Sequence, residues 1–130
     1  QPVRPAPPIR VRDHMPAATY NFEIEQGATL ARPIVWKDGD GVPVNLTGYS
    51  AKMQVRQNTS SQDVLLELST ANEKITITPM TGTITLNFSA ATTAAITWKR
   101  GKYDLELTSG NGTVTRLIEG EINVSREITR

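Results

Sequence analysis

The clearest indication of the fold is the segment Ile75-Thr-Ile-Thr-Pro-Met-Thr-Gly-Thr-Ile-Thr-Leu-Asn-Phe88. On both sides of its central Pro-Met-Thr-Gly, large apolar residues alternate with threonine or asparagine. This period of two is typical of β-strands with one buried face. Proline and glycine between the two runs favour a tight connection. The stretch therefore predicts an antiparallel hairpin with one apolar face.

The same alternation recurs in the sequence before and after this hairpin. The clearest runs lie at 20–25, 30–36, 51–56, 103–107 and 113–124. Turn residues separate them at roughly 8–12-residue spacing, which is typical of sandwiches. The chain's 17 threonines also favour strand over helix, because β-branching stiffens χ1. We therefore expect an all-β, immunoglobulin-like sandwich of roughly seven to nine strands.

Two places depart from simple alternation. The alanine-rich residues 89–97, with Ser89 as a helix N-cap, predict one short helical crossover between the sheets. In the last strand we expect Val114 and Ile118 on one face and Leu117 on the other. A glycine inside a strand often marks a bulge, so we predict a bulge at Gly120.

Composition changes near residue 15, which divides the chain into an extended arm (1–14) and a sandwich domain (15–130). The arm holds four of the eight prolines, with arginines between Val3, Ile9 and Val11. Proline fixes φ and lacks an N–H, so the first eight residues cannot join a helix or a central strand. Two interpretations stay open: a disordered tail, or an arm that orders on a neighbouring subunit with Ile9 and Val11 as plugs.

The composition also excludes several classes of function. The 130-residue chain is long enough for one domain with a core. It has no cysteine, which excludes disulfides, cysteine-ligated metals and a cysteine nucleophile. The net charge is +1 with both signs scattered, so we expect no nucleic-acid partner. No apolar run approaches the roughly 20 residues of a membrane span, and residues 1–14 lack the apolar core of a secretory signal.

No residue pattern predicts catalysis, a cofactor or a metal. His14 is the only histidine and lies in the arm, where we interpret it as a spacer rather than a catalytic base. Asp38-Gly-Asp-Gly41 resembles the start of a calcium loop, with a weak cation site as the alternative to a hairpin turn. Thr47 and Gly48 stand where such a loop needs a glutamate, so we favour the turn.

Carboxylates two residues apart could suggest glycosidase chemistry. Asp104 with Glu106, and Glu119 with Glu121, would each face the same way at roughly 7 Å. Both pairs lie on the predicted polar face, where we expect solvation to keep their pKa values ordinary. We therefore predict that the protein is not an enzyme.

Both tryptophans are candidates for the core or for a contact. Trp36 continues an apolar strand face, so we expect it to be buried. Trp98 stands beside Lys99 and Arg100 in a predicted loop and is a candidate contact. Trp98 or Tyr49 could also form a stacking platform for a sugar.

Four segments carry a family resemblance. They are Met15-Pro-Ala-Ala-Thr-Tyr-Asn-Phe-Glu-Ile-Glu-Gln-Gly-Ala-Thr-Leu, Val44-Asn-Leu-Thr-Gly-Tyr-Ser-Ala-Lys-Met-Gln-Val-Arg, Tyr103-Asp-Leu-Glu-Leu and Val114-Thr-Arg-Leu-Ile-Glu-Gly-Glu-Ile-Asn-Val-Ser-Arg-Glu-Ile-Thr-Arg. The sequence resembles a family of small bacteriophage virion proteins over about residues 15–130. It is similar, more distantly, to the N-terminal domain of the siphophage baseplate upper protein. The resemblance implies an immunoglobulin-like domain that attaches receptor-binding parts to a tail or baseplate. Family members begin near Met15, so the arm is a departure.

These observations lead to a hypothesis of function. We expect a virion structural protein, assembled in the bacterial cytoplasm, that acts as a tail, baseplate or fibre adaptor in symmetric multi-copy assemblies. It would dock on other virion subunits through one sandwich face and its arm. A neck or capsid decoration protein and a carbohydrate-binding module are the alternatives. The candidate partner-binding residues are Val3, Arg4, Ile9, Arg10, Val11, Arg12, Trp98, Lys99 and Arg100.

Overall fold

The computed structural model describes residues 4–5, 9–12 and 17–126, which form two β-sheets around a shared core. One short helix, α1 (Ala90–Ala94), and one 3-10 turn (Pro79–Thr81) join strands. The strand segments are β1 (Arg4–Pro5), β2 (Ile9–Arg12), β3 (Ala18–Thr19), β4 (Phe22–Glu25), β5 (Leu30–Lys37), β6 (Ser50–Arg56), β7 (Val64–Ser69), β8 (Ile75–Thr78), β9 (Thr83–Phe88), β10 (Arg100–Thr108) and β11 (Val114–Ser125).

The segments combine into nine strands within the described part of the chain. Sheet A has the order β1-β5-β9-β8, and β2 follows β1 along the same edge of β5. Sheet B has the order β3-β11-β10-β6-β7, and β4 follows β3 along β11. The predicted all-β sandwich is therefore confirmed.

The core is mostly aliphatic and lies between the sheets. The predicted hairpin of residues 75–88 is confirmed as β8 and β9. Ile84 and Leu86 of β9 are fully buried, and Ile75 of β8 is buried beside them. A 3-10 turn ending at Gly82, with φ of 62°, closes this hairpin. The largest fully buried side chains are Phe88, Ile24, Ile34, Leu46, Met53, Leu68, Ile84, Leu86, Leu105, Leu107, Ile118 and Ile122.

The predicted helical crossover is also confirmed. The Ser89 side chain accepts a hydrogen bond from the Thr92 amide at 3.1 Å, which caps α1. Thr93 is buried, and its hydroxyl donates to the Ala28 carbonyl at 2.8 Å. α1 thereby leads the chain from sheet A to sheet B over the turn that precedes β5.

The predicted facing of β11 is wrong at one end. The register with β10 shifts between the pairs Leu105↔Ile118 and Glu106↔Arg116, which leaves Leu117 as an extra residue. Leu117 and Ile118 are both buried as a result, and Val114 turns outward and is 58% exposed. The bulge therefore lies at Leu117, and the prediction of a bulge at Gly120 is wrong.

A buried arginine lies in the aromatic part of the core. Arg32 on β5 is 9% exposed, and its guanidinium carbon lies 5.4 Å from the ring centroids of both Tyr20 and Phe22. Its Nη1 donates to the Tyr20 hydroxyl at 3.3 Å. Trp36 is buried as predicted and meets Tyr49 edge to face, with ring centroids 6.0 Å apart.

The sandwich has two distinct ends. The hairpin end carries the loop after β5, the 3-10 turn and the loop between β10 and β11. The α1 end carries α1, the turn between β4 and β5 and the last residues of β11. At the hairpin end, Asp38 Oδ1 accepts the amides of Asp40 at 2.9 Å and Val42 at 3.0 Å. Asp38 thereby closes the predicted turn.

Candidate interaction surfaces

The arm residues predicted to bind a partner run along their own domain. Arg4 pairs in parallel with Leu30, and Ile9–Arg12 pair in parallel with β5 from Ile34 to Lys37. These pairs extend sheet A by one edge strand. Val3, predicted to bind a partner, and His14, interpreted as a spacer, lie outside the described residues.

The predicted contact around Trp98 lies at the α1 end. Trp98 is half-buried against the core, whereas Lys99 and Arg100 are exposed. The Lys99 carbonyl accepts the Val124 amide at 2.8 Å, which holds this loop against β11. Arg100 Nε donates to Asn123 Oδ1 at 3.2 Å.

The structure brings only some of these predicted residues to one place. Arg4 pairs with Leu30 at the start of β5, so its backbone lies at the α1 end, like Trp98 and Arg100. β2 runs parallel to β5 and away from that end. The candidate partner-binding set is therefore spread along the domain rather than gathered in one surface.

A second surface was not predicted from the sequence. The outer face of sheet B forms a polar hollow of about 730 Å³, which we call the charged hollow. Three neighbouring strands, β6, β10 and β11, supply its floor through their outward side chains. Its lining residues are Thr19, Asn21, Lys52, Gln54, Arg56, Asn58, Thr59, Lys102, Tyr103, Asp104, Glu106, Arg116, Glu119, Gly120 and Glu121.

Two ion-pair groups order the side chains on β10 and β11. Arg116 lies 3.5 Å from Asp104 and 3.6 Å from Glu119. Glu121 lies 3.3 Å from Lys102 and 3.6 Å from Arg100. Arg116 and Glu121 therefore each lie between two side chains of opposite charge on the sheet surface.

The pairing of β6 with β10 brings two further charged residues together on this face. Lys52 and Glu106 are directly paired positions. Neither forms an ion pair with another described residue. Within the described part of the chain, the charges of Lys52 and Glu106 are therefore available to a charged group that enters the hollow.

Asp104 differs from the expectation for a solvated carboxylate. Burial raises the pKa of Asp104, and the nearby Glu106 raises it further. Arg116 acts in the opposite direction and lowers this pKa, Glu119 raises it, and Arg56 lowers it. The prediction of an ordinary pKa is therefore wrong for Asp104, because the neighbouring strands shield its carboxyl group from water.

No single segment of the sequence indicates this surface. Asp104 and Glu106 do lie on the face opposite the core, as predicted, but Glu119 and Lys52 reach them only through the pairing of β10 with its two neighbours. The register between strands decides which outward side chains meet. A single sequence shows the facing of a strand but not its register with another.

The aromatic residues considered for sugar binding are both half-buried. Trp98 packs towards Gly101, where a β-carbon would lie 3.5 Å from Trp98 Cζ3. Tyr49 packs against Trp36 at the hairpin end. The two side chains therefore lie at opposite ends of the sandwich.

No helix among the described residues has the length and apolar character needed to cross a bilayer. No three His, Asp or Glu side chains in residues 17–126 converge so that they could hold a metal ion.

The fold is similar to that of the N-terminal domain of phage TP901-1 ORF48. The TM-score is 0.58 at 14% sequence identity, and the match covers 94% of this chain and 99% of that one. Drosophila OTK extracellular domains 3-5 match at a TM-score of 0.34 and 12% identity, covering 89% of this chain and 35% of that one. This TM-score is too low to indicate a shared fold. No protein-family model and no curated protein matches the chain. The likeness to the phage domain shows a shared fold.

Proposed function

We propose that this chain is a structural protein of a bacteriophage particle. It acts as a non-enzymatic adaptor of the tail, baseplate or fibre and is present in symmetry-related copies. It docks on other virion subunits through the outer face of sheet B, with the arm as a second contact.

The likeness in fold to a phage protein domain is the observation that carries this proposal. The match spans 94% of this chain and 99% of the other, so the two domains correspond over nearly their whole lengths. A fold by itself hosts many functions, so the proposal also needs a surface suited to binding.

The charged hollow supplies that surface. Its ion pairs place charges of both signs on one sheet face, where a partner with a complementary arrangement of charges could pair with them. Lys52 and Glu106 remain free to pair with charges of opposite sign on a partner. A cation or N–H group of a partner beside the half-buried Asp104 would stabilise its ionised form and so lower its raised pKa.

Mass spectrometry of purified particles tests the location. We expect the chain in a fixed, symmetry-related copy number in particles of the phage that encodes it. Immunogold labelling would then distinguish a tail or baseplate position from the neck or capsid. Particles that contain none of the chain would overturn the proposal.

Charge reversal in the charged hollow tests the docking face. We expect the full-length double variant Lys52→Glu, Glu106→Lys to incorporate into particles at least tenfold less than the natural chain. Lys74→Glu is the control, because Lys74 lies beside β8 in the other sheet. Equal incorporation of the double variant and this control would rule out the charged hollow as the docking face.

A further inference from the structure

Arg56 is a half-buried cation in the lining of the charged hollow. Its Nη1 donates to the carbonyl oxygens of Ser61 at 3.0 Å and Gln62 at 2.6 Å. Its Nη2 donates to Gln54 Oε1 at 2.9 Å. All three acceptors are neutral, so these hydrogen bonds orient the guanidinium group without balancing its charge.

No carboxylate among the described residues balances the charge of Arg56. None of the ion pairs in this part of the chain includes it. Among the groups that shift the pKa of Asp104, Arg56 has the smallest effect, so this carboxyl group compensates for little of the charge. Taking a cation partly out of water is unfavourable unless an anion offsets it. Arg56 therefore favours the entry of an anion from outside the chain.

The guanidinium group of Arg56 also has hydrogen-bonding capacity left. It carries five N–H donors, and the hydrogen bonds to its neighbours use three of them. One N–H on Nε and one on Nη2 remain. Because the group is planar and its donors form a rigid fork, it matches the two oxygens of a carboxylate.

Neighbouring groups make this part of the hollow more favourable for an anion. Lys102 is directly opposite Arg56 in the pairing of β10 with β6. Like charges in directly opposite positions destabilise a sheet, and of these two cations only Lys102 has a carboxylate partner, Glu121 at 3.3 Å. Asn58 and Thr59 line the hollow as well. The Asn58 oxygen accepts an amide of its own loop, which leaves the NH₂ group of Asn58 to donate to a ligand.

The strand register arranges the charges of the hollow in rows across β6, β10 and β11. The row nearest the α1 end, which we call the Arg56 row, consists of Arg56, Lys102 and Glu121. With two cations and one anion, the Arg56 row has a net charge of +1. The next row is anionic, because Asp104 lies opposite Glu119. An acidic group is therefore attracted to the Arg56 row and repelled by its neighbour, which fixes where it binds in the hollow.

We propose that the Arg56 row is a carboxylate-binding site, and that its ligand is an aspartate or glutamate side chain of the virion subunit that docks on sheet B. This inference rests on the proposed function and deepens it by naming the chemistry that the partner presents. The carboxylate accepts the remaining N–H groups of Arg56 and the NH₂ group of Asn58, and Lys102 adds a second positive charge. It thereby supplies the counter-charge that the described part of the chain does not place at Arg56.

Acetate tests the site in the absence of the partner. The full-length, ¹⁵N-labelled protein is titrated with sodium acetate at neutral pH, with sodium chloride keeping the ionic strength constant. We expect the Arg56 Nε–H signal and the backbone amides of Asn58, Thr59 and Lys102 to shift along saturating curves with one dissociation constant. Acetamide, which has a similar shape and no charge, should leave them unchanged. Shifts that never saturate, or equal responses to acetate and acetamide, would overturn the site.

Two variants test which groups bind the acetate. Arg56→Lys keeps a cation that can still donate to the loop carbonyls but lacks the paired donors, so we expect about tenfold weaker binding. Lys102→Gln leaves every hydrogen bond of Arg56 in place and should weaken binding about threefold, because Lys102 is exposed. Lys74→Gln, beside β8 in the other sheet, is the control and should bind acetate like the natural chain. Unchanged affinity in both variants of the Arg56 row would also overturn the site.

Incorporation into particles tests whether the carboxylate belongs to a partner. We expect Arg56→Lys and Lys102→Gln to enter particles about tenfold less than Lys74→Gln does. If both variants bind acetate weakly but enter particles as well as this control, the assignment to a partner side chain is wrong. A chain that is absent from particles would instead refute the proposed function, and the acetate titration would still decide whether the Arg56 row binds a carboxylate. The two proposals therefore fail separately.

Discussion

Gly120 lies directly against the backbone of Tyr20. A β-carbon at Gly120 would overlap the Tyr20 carbonyl oxygen and lie 2.8 Å from its carbonyl carbon. The same carbonyl accepts a hydrogen bond from the Tyr103 hydroxyl at 2.6 Å, and the Tyr20 amide donates to the backbone carbonyl of Glu119 at 2.9 Å. The connection between β3 and β4 is therefore fixed on β11 at a distance that only glycine allows.

Gly120→Ala should destabilise the domain by about 3 kcal/mol, because the obstructing atoms are backbone and cannot rotate away. Gly110→Ala is the matched control: its β-carbon would meet the Gly48 carbonyl at 3.7 Å, an ordinary contact. We expect the control to cost less than about 1 kcal/mol. Urea unfolding of both variants measures the difference, and equal losses would contradict the close approach.

Tyr103 should make the stability fall in alkaline solution. Burial raises its pKa, Tyr20 adds to the effect and Arg32 opposes it. Above about pH 10 the unfolded chain loses this proton while the folded chain keeps it, so the free energy of unfolding falls as pH rises, by at most about 1.4 kcal/mol per unit. Below that pH the contribution is fully present. Tyr103→Phe should lose about 1 kcal/mol at neutral pH and show a shallower alkaline decline. Parallel declines in the two proteins would count against this assignment.

Asn72 should protect an open sheet edge. Its side-chain amide donates to the Glu67 carbonyl at 3.1 Å, and its oxygen accepts the Ser69 amide at 2.9 Å. The Asn72 side chain thus forms hydrogen bonds with backbone groups at the free edge of β7, and these groups cannot then pair with another strand. Asn72→Ala should cost about 1 kcal/mol and increase self-association, measured by denaturant unfolding and light scattering. Asn45→Ala, which removes a bond from the Thr47 amide in a loop outside the charged hollow, is the control for the association. Equal association of the two variants would refute the edge role.

The pKa of Asp104 should be raised relative to that of a fully solvated aspartate. Carbon-detected NMR of the carboxyl group should show its pKa falling in Glu106→Gln, which removes a negative neighbour, and rising in Arg116→Gln, which removes a cation. Lys74→Gln should leave the titration unchanged. The folded state binds this proton more tightly than the unfolded state, so this group's contribution to stability improves as pH falls through its pKa. An Asp104 titration insensitive to both neighbours would mean that the carboxyl is solvated.

The facing of most strands was predictable because each has one side in the core. Alternation places Phe22, Met53 and Leu86 correctly, since a one-residue slip would expose every apolar side chain of the strand. β11 is the exception. Leu117 is an extra residue only relative to β10, and nothing in its own neighbourhood distinguishes a bulge from a regular strand.

The candidate surface was less predictable than the fold. Of the charged groups that act on Asp104, Glu106 is near it in sequence, whereas Arg116 and Glu119 lie on β11 and Arg56 lies on β6. The burial of Asp104 between these strands therefore has no local signature. Arg32 shows the same difficulty. It falls on the apolar face of β5 by alternation, but its aromatic neighbours come from a segment in the other sheet.

The formal charges of the side chains that line the charged hollow sum to zero. The four cations are Lys52, Arg56, Lys102 and Arg116, and the four anions are Asp104, Glu106, Glu119 and Glu121. The field of such an arrangement cancels within a Debye length of about 8 Å, so an approaching partner is not drawn in from afar. Encounter should then proceed at the ordinary rate of about 10⁵–10⁷ M⁻¹s⁻¹ and change little with ionic strength. Discrimination between right and wrong partners would come after contact, in how long each one stays bound.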